Sequence, residues 1–146
     1  MPTARRSRTV PAPPERVWEI VGDPHHLPRW WPRVTRVEAV SEEHFTEVLG
    51  TEDGRSLRAD FRVLESRAPE RRAWEQELEG TPFERVFAAA STEVKLLPED
   101  DGATRVTLVV RQQLRGSARM GGFMVRRATG RVLDEALEAL EALHGP

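Results

Sequence analysis

Between Val34 and Leu114 apolar and polar side chains alternate in segment after segment, and this period-two pattern most limits the folds open to the chain. It is clearest where Leu57, Ala59, Phe61 and Val63 interleave with Arg58, Asp60 and Arg62. Such a segment reads as an antiparallel strand with one dry and one wet face. Beyond Ala68-Pro69-Glu70, Trp74, Gln76 and Leu78 alternate with Glu75, Glu77 and Glu79 until Gly80-Thr81-Pro82 interrupts. The acidic row is expected to face the row of Arg58 and Arg62. Val86 to Leu97 places Ala88, Ala90, Thr92, Val94 and Leu96 on one face, and Asp100-Asp101-Gly102 is a strong turn signal. Thr104 to Leu114 follows with Val106, Leu108, Val110, Gln112 and Leu114 on its apolar side. Upstream, Val37 and Ala39 alternate with Arg36 and Glu38, and after a break at Ser41-Glu42-Glu43 this strand pairs with Phe45 to Leu49.

The two ends read differently. Arg5 to Val10 is a short strand stopped by Pro11, and Pro13-Pro14 places proline at a first helical turn. Val17, Trp18 and Val21 fall at helical spacing, Gly22-Asp23-Pro24 ends that helix, and His25 to Trp31 forms another before Pro32. From about Ala118 to Leu143 the helical period returns, with Leu133, Ala136, Leu137, Leu140 and Leu143 opposite Asp134, Glu135, Glu138 and Glu141. The expected architecture is α+β: seven antiparallel strands, two short helices between the first and second, and one long C-terminal helix covering one sheet face. Without repeats or a long linker, the 146 residues are expected to form one domain over 1–146.

Composition removes several kinds of chemistry. There is no cysteine, which excludes disulfides, thiolate nucleophiles and cysteine-ligated metals. The formal charge of −2 lacks the basic footprint of a nucleic-acid binder, so no nucleic-acid partner is expected. No apolar run approaches the roughly 20 residues of a spanning helix, and no apolar stretch follows the basic start, so no membrane span and a cytoplasmic location are expected. His25 and His26 are adjacent, His44 and His144 are isolated, and no ligand spacing links them. No metal and no cofactor are therefore expected. Nor is there a nucleophile elbow, a phosphate loop or a dinucleotide fingerprint.

The stretch Arg8-Thr9-Val10-Pro11-Ala12-Pro13-Pro14-Glu15-Arg16-Val17-Trp18, followed by Asp23, Pro24, Leu27, Trp30, Trp31 and Pro32, resembles the N-terminal signature of the START-like (SRPBCC) superfamily. That superfamily includes polyketide cyclases/dehydrases and lipid-transfer domains. The strand order, the Gly-Ala-Thr-Arg-Val-Thr-Leu segment and the closing helix extend the resemblance over nearly the whole chain. It implies a helix-grip fold, a curved sheet around the C-terminal helix, with a cavity between them that takes a hydrophobic small molecule in many members. Fold alone does not name the ligand.

Several residues are candidates for lining such a cavity. Trp74 and Gln76 share the expected inner face, a large ring beside an amide that can orient a ligand. Gln112 is the other inner amide, and each needs a partner, a water or a ligand, since a buried amide without one costs about 1–3 kcal/mol. Small residues at Ala88, Ala90 and Thr92 either admit the helix closely or leave a void. If a void is left, Phe61, Trp74, Ala90, Leu108, Phe123 and Met124 line it, and Phe83 is placed to cap its mouth. Trp30 is expected on the buried side of the Trp30-Trp31 pair. Arg119, Arg126, Arg127 and Arg131 sit early on the final helix, against the preference of its dipole. They serve an anionic group, an acidic surface, or only solvent.

Three functions compete. The first is binding of a small hydrophobic molecule, lipid or polyketide-like, in the cavity. The second is a cyclase or dehydratase acting on such a ligand, which needs an ionisable group inside. The alternation turns Asp60, Glu75, Glu77 and Glu93 outward and the chain has no tyrosine, leaving Arg119 as the one charged residue that can be turned inward. That shortage favours binding over catalysis. The third is a protein-interaction module, for which the charged outer faces offer no anchor patch. Unpaired edge strands leave a homodimer open.

Overall fold

In the computed structural model, which describes residues 2–145, seven strands form one antiparallel sheet in the order β1-β7-β6-β5-β4-β3-β2. The strands are β1 (Thr3–Val10), β2 (Val34–Glu38), β3 (His44–Gly50), β4 (Ser56–Arg67), β5 (Arg71–Glu77), β6 (Phe87–Pro98) and β7 (Thr104–Leu114). Neighbours in sequence are neighbours in the sheet except at β1, which pairs with β7. Between β1 and β2 lie helix α1 (Pro14–Val21), a 3-10 turn at Pro24–His26 and the single-turn helix α2 (Leu27–Trp30). The chain closes with α3 (Gly122–His144). The α+β architecture expected from the alternation is the one observed.

Local chemistry explains the boundaries. Pro14 opens α1 at a position where a missing N–H costs nothing. The Asp23 side chain accepts from the His25 N–H at 3.0 Å and starts the 3-10 turn. In the ladders Phe61 is opposite both Phe45 and Gln76, Trp74 is opposite Thr92, and Ala90 is opposite Gln112, while an irregularity between Phe87 and Ala89 takes Ala88 off the expected inner face and leaves it exposed. Arg62 pairs with Glu75 across the outer face, as the facing charge rows predict. Arg58 instead reaches Glu38 at 2.6 Å, beside Arg36 at 2.7 Å. Both arginines stand opposite Val48, whose outward side chain is nevertheless buried.

The core lies between the inner sheet face and the helices. Leu133, Ala136, Leu137 and Leu140 of α3 are buried against it, each large side chain contributing about 1.5–3 kcal/mol. The ion pairs Arg6–Asp134 at 3.3 Å and Arg8–Glu141 at 3.0 Å fasten β1 to the helix. Trp30 is buried, as expected, and its ring meets Trp31 edge to face at 5.3 Å. The final helix begins later than its sequence suggests: 116–121 form 3-10 turns, and Gly116 has the left-handed φ of +48° that glycine tolerates.

Candidate functional site

Small side chains on the inner face leave space under α3. Alanines occur at two lining positions, Ala59 on β4 and Ala90 on β6, and Thr92 and Ser91 add little bulk. A partly open cavity of about 250 Å³ results. Aromatic walls come from Trp31 after α2, Phe61 on β4 and Phe83 in the 3-10 turn Pro82–Arg85. The helix contributes Thr129 and Val132. Among the polar groups on the wall, Gln76 and Gln112 stand on the inner face, and Thr129 Oγ1 donates to Gln112 Oε1 at 3.2 Å.

The structure brings together Phe61, Gln76, Phe83, Ala90 and Gln112 from the residues expected at such a cavity. It does not bring the other five to it. Trp74 is buried behind the wall, edge-on to Trp31 at 6.3 Å and to Phe45 at 6.0 Å. Leu108 lies one inward position before the lining Val110 on β7 and is fully buried in the core. Phe123 and Met124 are each 64% exposed, because the helix reaches the cavity only at Thr129, more than a turn later. The ring of Phe123 carries the Arg126 guanidinium at 6.0 Å instead. Arg119 is exposed in the 3-10 segment and borders a separate depression with Pro2, Gln113 and Leu114.

One lining residue overturns an expectation. The sequence reading finds no acid on the inner face, and Asp60, Glu75, Glu77 and Glu93 do turn away from the cavity. Glu47, however, sits on the inner face of β3 between Phe45 and Leu49 and is only 4% exposed. Its ladder neighbours are Val37 on β2 and Ala59 on β4, neither of which can pair with a carboxylate. No group among the described residues hydrogen-bonds its carboxyl, and burial alone pushes its pKa up to about 8. The available signal was its parity: Glu47 is two residues from both Phe45 and Leu49, which face inward.

Other features are less suited to a ligand. A larger, open depression of about 720 Å³ has a mixed wall, with Pro24, Val40, Val63 and Leu64 among Ser41, Glu42, Glu65, Ser66 and Arg72, and no aromatic side chain lines it. Arg72 at its base donates to Ser66 Oγ at 2.9 Å, and burial pushes its pKa down against the opposing charge of Asp23. On the outer face Glu93 is 5% exposed and gathers Arg71, Arg111 at 3.4 Å and Lys95 at 3.8 Å. Burial acts to raise the Glu93 pKa, but the Arg71 hydrogen bond and the surrounding positive charges outweigh it and hold the carboxyl below its ordinary value. Among the described residues no group of acids and histidines is arranged to hold a metal ion, and no helix is long and apolar enough to cross a membrane.

Residues 1–145 match the family described as polyketide cyclase / dehydrase and lipid transport. The chain belongs to that family. Solved structures carry the same fold. A START superfamily protein from Mycobacterium smegmatis superposes with a TM-score of 0.79 at 16% identity, covering 97% of this chain and 96% of its own. A protein of Thermus thermophilus gives 0.74 at 24% identity, covering 97% and 95%. The di-domain ARO/CYC BexL, from the BE-7585A biosynthetic pathway, gives 0.79 at 24% identity over 97% of this chain, which spans only 46% of that protein. At such identities the likeness shows the helix-grip fold alone. No curated protein matches the sequence.

Proposed function

We propose that this family member binds a small hydrophobic molecule, lipid or polyketide-like, in the cavity between the inner sheet face and α3. The observation that carries this reading is the cavity itself, with aromatic walls from Trp31, Phe61 and Phe83 and polar side chains such as Gln76 and Gln112 among them. Small-molecule sites combine such walls with a small number of orienting polar groups. Its 250 Å³ lies just below the range of roughly 300–1,000 Å³ typical of drug-sized ligands, which favours a compact ligand.

A second reading, a cyclase or dehydratase acting on such a ligand, is favoured by one observation. Glu47 supplies the ionisable group inside the cavity that proton transfer requires, and its raised pKa lies near the range in which a general acid or base works at neutral pH.

Native mass spectrometry of protein purified from its own host tests the binding reading. The expected result is a retained organic molecule of modest mass, absent from the Ala90→Trp protein. Finding no retained species, together with no uptake of a hydrophobic probe dye by the folded protein, sinks the reading. Conversion of the retained molecule to a product lighter by one water, lost in Glu47→Gln, would decide for the catalytic reading.

A further inference from the structure

The cavity wall holds one carboxyl for which the protein provides no partner. Glu47 is 4% exposed, it lines the cavity, and the side chains opposite it on both neighbouring strands are Val37 and Ala59. A buried polar group left unpaired is costly, so a partner that arrives with the ligand regains much of that cost.

We infer that Glu47 recognises a carbonyl-type oxygen of an uncharged, apolar ligand by donating a hydrogen bond to it. The inference rests on the ligand-binding reading and names the chemical class of its ligand. Burial keeps the Glu47 carboxyl protonated at neutral pH, and a protonated carboxyl donates where a carboxylate only accepts. The other charged side chain lining the cavity is Arg33, which is exposed. A cationic ligand meets that guanidinium, and at neutral pH it finds no ionised acid inside. The elements packed around Glu47 bring no further charge to the cavity: β2 and β4 present Val37 and Ala59, and α3 presents Thr129 and Val132.

Two probes of similar shape test this, the ketone 2-acetylnaphthalene and the hydrocarbon 2-ethylnaphthalene, with affinities measured by calorimetry on the full chain. The expected result is that the ketone binds up to about tenfold more tightly than the hydrocarbon at pH 7, the equivalent of one net hydrogen bond. Its affinity should then fall about tenfold between pH 7 and pH 9 as the donor ionises, while that of the hydrocarbon stays nearly level. Glu47→Gln keeps a donor that does not titrate, so its ketone affinity should be flat over the same range. Equal wild-type affinities for the two probes, or a ketone affinity that does not fall with pH, overturn the inference and leave the binding reading standing. Failure of both probes to bind the wild-type protein overturns the two together. The wild-type measurements decide the matter even if Glu47→Gln folds poorly.

Discussion

Glu47 and Ala59 are directly opposed across the β3–β4 ladder, so the one carboxyl on the cavity wall faces a methyl group instead of a partner. A larger side chain at 59 would fill the space in front of the acid, and a basic one would neutralise it. The small residue both leaves the cavity open and leaves Glu47 unpaired, which makes the same carboxyl a burden on stability and a candidate for recognition.

That burden has a definite pH dependence. With its pKa near 8 in the folded protein and near 4.5 when unfolded, Glu47 holds a proton in the native state that the unfolded chain releases. Stability should therefore fall as pH rises from roughly 4.5 to 8, by about 1.4 kcal/mol per pH unit from this group. Glu47→Gln should remove that slope and be about 3 kcal/mol more stable at pH 7. Urea melts of both proteins across this range check it, and parallel profiles would show that the carboxyl is solvated.

Glu93 should behave in the opposite sense. Its lowered pKa means that it contributes stability above the ordinary carboxylate value and loses that contribution as the pH falls through its folded value. Its partners are about a third to a half exposed, so water screens the pairs, and Glu93→Gln should cost only about 1 kcal/mol at pH 7. The difference from wild type should vanish in acid. A penalty that persists at pH 3 would mean that packing, not charge, is lost.

Filling the cavity separates a void from a packed core. Ala90 lines the cavity, whereas Ala89, beside it, is exposed. Ala90→Trp should abolish binding of a hydrophobic dye while keeping or raising stability, since newly buried apolar area contributes roughly 25 cal/mol per Å². Ala89→Trp should leave dye binding unchanged. Overpacking a filled interior costs about 1–3 kcal/mol instead, so a drop of that size in thermal unfolding experiments on Ala90→Trp refutes the void.

Gly22 should resist substitution. A Cβ there would lie 2.5 Å from Trp18 Nε1 and 2.8 Å from the Trp18 carbonyl oxygen, against which the end of α1 is turned. The indole can swing aside but the backbone oxygen is held in the helix. Gly22→Ala should cost about 1–3 kcal/mol in denaturant unfolding. A change below about 0.5 kcal/mol, the scale of an ordinary surface substitution, would show that the turn relaxes freely.

Much of the site is legible where one face is plainly wet. On β4, Arg58, Asp60 and Arg62 fix Phe61 inward, and on β7 the parity of Val106 and Val110 carries Gln112 with it. Phe83 follows from the interruption at Gly80-Thr81-Pro82. On β3 the rule fails, because Phe45 and Val48 lie on opposite faces and both are buried. Alternation cannot assign an inside when residues on both faces of a strand are buried, as Phe45, Thr46, Glu47 and Val48 are. Glu47 was hidden for that reason.

The sequence by itself determines the strand and helix content, the α+β class and the side of most strands, because these depend on local period and on turn chemistry at residues such as Asp101 and Gly102. Tertiary structure decides how far along each element the cavity extends. Phe123 shares the helix with Thr129, and Trp74 shares a strand face with Gln76, yet only Thr129 and Gln76 reach the space. Whether an inward side chain meets a void or another side chain depends on where α3 and α2 rest on the sheet, and that is set by contacts between residues far apart in the chain. A period of two or 3.6 carries direction but no depth.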